Sequence, residues 1–184
     1  MRIRAIARPP ASTATGHALR PDVFRQCMQR FCSGVALVTV ARRRIWSGLA
    51  VSSLASVSAN PPTVLVCVNR KASAHAALLA SEAFAVNLLG EAHSGLVEDF
   101  SDPARRAARF RSPDWTVGQL GAPVLRTAAA VLECSLAEQV EWGTHTVLFG
   151  QVMEGWVGSA DAPLVYGLGG VLRLVTPTGE AQNA

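Results

Sequence analysis

Ser47-Gly48-Leu49-Ala50-Val51-Ser52-Ser53-Leu54-Ala55-Ser56-Val57-Ser58-Ala59-Asn60-Pro61-Pro62 decides how the rest of this chain is read. It opens as an alternating strand, passes into small and hydroxyl residues, and stops at a double proline. A β-segment so rich in Gly, Ala and Ser has little side chain to bury and makes a poor core strand. Two readings stay open on the residues alone. The stretch is an edge strand whose hydroxyls face water, or it is a bed for something flat and polar that uses its hydroxyls and backbone amides.

Upstream, Pro21–Phe31 reads as a helix: proline suits the first turn, and Val23, Phe24, Cys27, Met28 and Phe31 recur at helical spacing. Ser33-Gly34 breaks it. Val35–Val40 is a β-branched strand, Arg42-Arg43-Arg44 a solvated turn, and Ile45–Ser53 the returning strand of a hairpin. Downstream, the continuous apolar run Thr63–Val68 is a buried strand. A polar loop, Asn69–Ser73, leads into a short helix over Ala74–Ala80, then a strand over Phe84–Leu88 and helices over Glu91–Phe100 and Pro103–Phe110. Pro113–Val124 reads as loop. Ala128–Val140 and Thr146–Val157 are long strands joined by a turn at Glu141–His145, and Pro163–Tyr166 and Val171–Val175 close the chain. About seven strands with short links and inserted helices predict a mainly β (α+β) fold, an antiparallel barrel with peripheral helices. The expected layout is a disordered tail over 1–20, one domain over 21–176 and a C-terminal tail over 177–184.

Of the 184 residues, 49% are hydrophobic and 16% charged, which predicts a sizeable core and an apolar subunit interface. The net charge of +4 comes from Arg2, Arg4, Arg8 and Arg20, so residues 21–184 balance near zero and no nucleic-acid face is expected. Apolar runs are too short to span a bilayer, so no membrane partner is expected. Cys27, Cys32, Cys67 and Cys134 form no CxxC pair; Cys67 and Cys134 read as buried thiols, which suits a reducing, cytoplasmic setting. The acid-free first 20 residues have the composition of a transit peptide but no helical apolar stripe, and a disordered tail is the preferred reading. GxGxxG, P-loop, GxSxG and HExxH motifs are absent, and His17, His75, His93 and His145 are scattered, so no metal site is expected. His75 and His93 read as surface or helix-packing residues, and Trp115, Trp142 and Trp156 as packing residues.

The ordered set Phe24-Arg25, Arg30-Phe31-Cys32-Ser33-Gly34-Val35, Gly48–Ser58 with Pro61-Pro62, Val66–Lys71, Phe84–Leu89, Ala108-Arg109-Phe110 with Trp115, Leu132-Glu133-Cys134, Gly143-Thr144-His145 and Pro163–Tyr166 resembles the flavin reductase-like family. The likeness runs over about residues 22–175, and is greatest to reductases that serve hydroxyphenylacetate and pyrimidine-degrading monooxygenases. The resemblance implies a homodimer of six-stranded FMN-binding split barrels with Greek-key topology. It also implies a flavin, FMN or FAD, in a groove near the subunit boundary, with hydride from NADH or NADPH. By family position, Trp46, Ser47, Gly48, Leu49, Ala50, Ser52 and Ser53 line the ring and ribityl chain. Cys67, Val68 and Asn69 flank the other ring edge, and Lys71, Ser73 and Ala74 stand at the phosphate. His145 matches the family's histidine beside the nicotinamide, and Tyr166 borders the same pocket. Asp99-Phe100 and Arg109-Phe110 either fold over the flavin tail or serve as core and surface helix residues.

Physical chemistry gives these assignments a rationale. Small residues let backbone approach a ring and offer N–H donors to it. Asn69–Ser73 offers two cations, a hydroxyl and the start of a helix to a phosphate. Each has a plainer alternative: a solvated turn for Arg70 and Lys71, a strand cap for His145. Four positions depart from the family pattern: Ala72 and Ala74 stand where the phosphate loop often carries hydroxyls, Val171 replaces an aromatic, and Thr144 replaces the commoner Asp. The expected function is NAD(P)H:flavin oxidoreductase, handing reduced flavin to a separate monooxygenase. The alternatives are a non-enzymatic flavin carrier or sensor, and a reductase of a corrinoid or ferric chelate.

Overall fold

A computed structural model of the chain describes residues 19–159 and 162–174. Of the expected tails, residues 1–18 and 177–184 lie outside the described residues, as do His17 and the end of the last expected strand, Val175.

The elements run in order: α1 (Pro21–Gln29), β1 (Ser33–Gly34), β2 (Ala36–Arg42), β3 (Ile45–Val51), β4 (Leu54–Ala59), β5 (Pro62–Asn69), α2 (His75–Leu79) and β6 (Ala83–Leu88). A 3-10 turn at Glu91–His93 precedes α3 (Ser94–Ser101), and a 3-10 helix, Pro103–Ala108, follows it. Then come β7 (Trp115–Val117), β8 (Pro123–Leu125), β9 (Ala130–Trp142), β10 (His145–Val157), β11 (Val165–Gly167) and β12 (Gly170–Leu172). The main sheet is antiparallel, with strand order β3-β2-β6-β9-β10-β5-β4.

That order closes the fold. β3 and β4 stand at opposite ends of the sheet, yet only Ser52-Ser53 separates them in the chain. In a flat sheet, six strand spacings would part them by about 29 Å. Two residues cannot reach that far, since each spans at most about 3.6 Å. The sheet therefore curls until its ends meet. Ser53 stitches the joint: its hydroxyl donates to the Cys67 carbonyl at 2.9 Å and accepts from the Cys67 amide at 3.2 Å. The resemblance implied six strands; the main sheet has seven, because the serine pair splits one segment between the two ends.

Alternation along the strands sorts the core into two faces. Val38, Val51, Val66, Phe84 and Leu148 fill the barrel. Leu37, Ala85, Phe100, Trp115 and Val124 pack on the outside beneath α3 and the β7–β8 hairpin. Pro113–Val124, expected as loop, thus contains two short strands. They are held from a distance: the Asn87 amide oxygen accepts the Leu125 N–H at 2.7 Å, and the buried Glu133 carboxylate accepts the Gln119 and Leu120 amides at 2.9 and 2.8 Å. A Cβ at Gly118 would overlap that carboxylate.

Arg43 and Arg44 take φ of 50° and 64°, closing the β2–β3 hairpin as a two-residue turn, as the sequence predicts. Trp115 packs as expected, whereas Trp142 and Trp156 remain 52% and 38% exposed on the protomer. They sit at opposite ends of the β9–β10 hairpin, Trp142 across from His145 and Trp156 across from Val131. No residue of α1 is buried either.

Candidate flavin and nicotinamide site

The strand expected to form the bed spends much of its small-residue character on the protein itself. The Trp46 ring meets Phe110 edge-on, centroids 5.5 Å apart, in a cluster with Phe100 and Trp115. A Cβ on Gly48 would stand 2.8 Å from Phe100 Cε1 and 3.0 Å from the Val38 carbonyl oxygen. Phe100 therefore takes the space that glycine leaves. Ser47 faces Val40 in the β2–β3 register, and Leu49 packs against the barrel interior. What Trp46–Leu49 leave for a ligand is backbone.

Beyond them, Ala50, Val51 and Ser52 border a cavity of about 270 Å³ together with Val35, Val97, Ser101 and Tyr166. Ser52 is exposed there, one residue from the stitched Ser53. The structure thus brings Tyr166 to the bed. β11 carries it, held to β1 through the Ser33–Tyr166 pair.

Register on β5 and the turn into α2 put two of the expected side chains inside the barrel. Val68 is fully buried in the barrel, so only its backbone can face a ligand. Its neighbours Cys67 and Asn69 lie on the opposite, accessible side, and burial pushes the Cys67 thiol pKa up. Ala74 is also fully buried in the barrel core, so its side chain touches no phosphate, and a hydroxyl there would lack water. The helix after the loop, α2, has five residues and no side-chain cap, too short for much of a dipole.

The loop itself is well placed. Asn69 pairs with His145 across β5 and β10, and the Arg70 amide donates to the Thr144 carbonyl at 3.0 Å. Asn69, Arg70, Lys71, Gly143 and Thr144 line a cavity of about 360 Å³. The Asn69 side chain accepts from the Lys71 amide at 2.9 Å, shaping the turn. An exposed pair at 3.7 Å links Arg70 to Glu141, a contact of little strength. His145 is half-buried, with Nδ1 2.9 Å from the Thr144 hydroxyl. The cationic loop and the histidine are thus one surface. His145 and Tyr166 were expected in one pocket; in the protomer Tyr166 borders the cavity beside Ala50–Ser52, whereas His145 adjoins Asn69 and Thr144, which line the other, and β10 and β11 belong to different sheets.

Arg109, read from sequence with Phe110 as either a cover for the flavin tail or a core and surface helix residue, was not among the expected site residues. Arg109 is 5% exposed, and its guanidinium donates to the carbonyls of Asp99, Gly48 and Asp102 at 2.8, 3.0 and 3.3 Å and to the Ser73 hydroxyl at 3.3 Å. It also lies 5.6 Å over the Phe100 ring. Burial, then the charge of Arg106, lowers its pKa. Its only sequence signal was its place beside Phe110. His75 and His93 pack as expected, bonded to the hydroxyls of Thr146 and Thr127.

The donor set suits a flat polar ring with a phosphate: backbone at 50–52 with the Ser52 hydroxyl, an amide side chain at Asn69, and Lys71 and Ser73 beyond it. Among the described residues, no group of three His, Cys, Asp or Glu side chains is placed to hold a metal ion, and no helix is long and apolar enough to cross a membrane.

Comparison with known proteins agrees. The family model described as flavin reductase like domain matches residues 28–174. The FMN reductase (NADH) RutF 2 of Methylorubrum extorquens is 41% identical over 131 residues, covering 71% of this chain and 76% of that protein. The reductase component of the FADH(2)-dependent resorcinol hydroxylase of Rhizobium sp. is 34% identical over 145 residues, covering 78% and 81%. The Streptomyces globisporus NADH:FAD oxidoreductase SgcE6, solved in complex with NAD and FAD fragments, superimposes with a TM-score of 0.80 at 30% identity, covering 89% of this chain and 100% of that one. This chain, a split barrel closed at Ser52-Ser53, belongs to the flavin reductase-like family.

Proposed function

We propose that the chain is an NAD(P)H:flavin oxidoreductase that supplies reduced flavin to a separate monooxygenase. The observation that carries the reading is the Asn69–His145 pairing, which joins a cationic loop to a histidine at one end of the barrel. Relatives named FMN reductase (NADH) and the reductase components of two-component monooxygenases support it.

A bound flavin would take the hydride from nicotinamide directly, with no covalent help from protein. The chain's own residues bind and orient. Backbone at Trp46–Ala50, with Ser52, presents the bed, and Ser53 fixes it to β5. Cys67, Asn69 and the Val68 backbone stand on the other ring edge. Lys71 and Ser73, with the Ala74 backbone, hold the phosphate. His145, steadied by Thr144, orients the nicotinamide, and Tyr166 borders the bed. Burial of Ala74 also removes much of the motive for a carrier that does not turn over, since the missing hydroxyl there is a core residue.

We further assign a homodimer, because the apolar face of α1 is left exposed among the described residues. Four free thiols fit the cytoplasm. The test is pure protein with NADH or NADPH and free FMN or FAD, following absorbance of the reduced nicotinamide. Flavin-dependent oxidation is expected; none with either nucleotide would sink the reading. Corrinoid and ferric chelate in the same assay check for other acceptors.

A further inference from the structure

Resting on the flavin site just proposed, we infer that Arg109 is a positioning residue that aims the Ser73 hydroxyl at a phosphate monoester, making residues 73 and 109 an anion subsite.

Three observations carry this. First, direction. A serine hydroxyl has one proton and two lone pairs. Arg109 Nη1 occupies a lone pair of Ser73 Oγ at 3.3 Å, and the hydroxyl donates to no acceptor among the described residues. Ser73 is exposed while Arg109 beneath it is buried. The serine proton is therefore left to point outward.

Second, charge. All four acceptors around Arg109 are neutral carbonyls and a hydroxyl. The nearby carboxylates are engaged elsewhere: Asp99 with Arg105 at 2.7 Å, and Asp102 with the Ala104 amide at 2.8 Å. No carboxylate oxygen comes within ion-pair distance of Arg109 among the described residues. A buried guanidinium without a contacting counter-ion favours an anion at its open side. Third, the Ser73 and Ala74 amides have no backbone acceptor among the described residues, and they adjoin that hydroxyl.

The same guanidinium grips Gly48, so the subsite and the bed are set by one side chain. A ligand with its ring on the bed and its phosphate at Ser73 is thereby favoured over the same ring without a phosphate.

Equilibrium titration by flavin fluorescence tests this on the full chain, with FMN and riboflavin as probes, which differ only in the phosphate. Wild type should bind FMN about tenfold more tightly or better, the worth of one charge-assisted contact. Ser73→Ala should weaken FMN about tenfold and leave riboflavin within about twofold, and Arg109→Lys, which also loses the Gly48 contact, should weaken both but FMN by about tenfold more than riboflavin. Equal shifts for both flavins would show a merely structural role and overturn the proposal, as would equal wild-type affinity for the two. Should Arg109→Lys fail to unfold cooperatively, Ser73→Ala decides alone, since it keeps the charge and the fold. Discriminating binding without turnover would sink the reductase reading and leave this inference standing; turnover without discrimination would do the reverse.

Discussion

The guanidinium of Arg109 stands 3.0 Å from the carbonyl oxygen of Gly48, across 61 positions of chain. That bond ties the segment after α3 to the strand at one end of the curled sheet. Through Ser73 the same side chain reaches the loop after β5, near the other end. Arg109→Met keeps an unbranched apolar stem but removes every donor. It leaves a buried carbonyl at Gly48 unsatisfied, so a loss of about 3 kcal/mol is expected in urea unfolding. Full stability in that variant would mean that the segment after α3 is held by its aromatic contacts alone.

Gly48 carries its own prediction. A methyl group there meets the Phe100 ring and two further atoms of β2, so Gly48→Ala should cost about 1–3 kcal/mol by overpacking. Gly95→Ala is the control. It lies in α3 with nothing within 4 Å of the added carbon, and should stabilise by about 0.5–1 kcal/mol. Urea midpoints moving the same way in both variants would contradict the packing described for Phe100.

Much of this fold was legible because period-two alternation marks strands wherever one face is apolar. Ile45–Val51 begins that way, while Val35–Val40 and Thr63–Val68 are marked instead by continuous β-branched, apolar composition, and the small-residue run Ser47–Pro62 marked the segment that crosses between sheet ends. Which face each residue takes was not legible. The register of β5 turns the Val68 side chain inward and the turn into α2 does the same for Ala74, leaving their backbones as what a ligand can meet. The β7–β8 hairpin escaped notice because Asn87 and Glu133, far away in sequence, supply its anchors. Arg109 was hidden by its company. Arg105, Arg106, Arg109 and Arg111 crowd one stretch, and nothing local says which is buried. Only the packing against Phe100 and Gly48 decides it.

For the nicotinamide end, His145→Ala should lower kcat/KM for NADH about tenfold or more at saturating FMN, the scale of a lost orienting contact. FMN affinity by fluorescence should stay unchanged, since the Ser73–Arg109 pair is untouched. A matching loss of FMN affinity would place His145 at the flavin rather than at the nucleotide.

His75 makes stability depend on pH. Burial first, then the charge of Arg70, holds its pKa below the ordinary 6.5, against an opposing pull from Glu141. The unfolded chain therefore takes up a proton that the folded chain resists. Stability is complete above about pH 6.5 and falls as pH drops from there through the lower folded value. The melting temperature of His75→Gln should fall less than that of wild type between neutral and mildly acidic pH. Identical slopes would remove His75 as the source.

The apolar face of α1 gives the oligomer prediction. Phe24 and Phe31 are 58% and 66% exposed, and Met28 lies open on the same helix. The Leu168 amide donates to the Gln29 carbonyl at 2.6 Å, fixing α1 beside the β11–β12 turn, where Leu168 and Val171 are exposed too. That makes an apolar surface shared by two elements, of the kind that marks an interface. A second copy of the chain is the occupant proposed, since the family resemblance implies a homodimer. Wild type should sediment as a dimer, and Phe24→Glu with Phe31→Glu should sediment as a monomer with a lowered melting temperature. A dimer that survives both charges would move the interface elsewhere, to a surface such as the end of β10, where Met153, Trp156 and Val157 stand open.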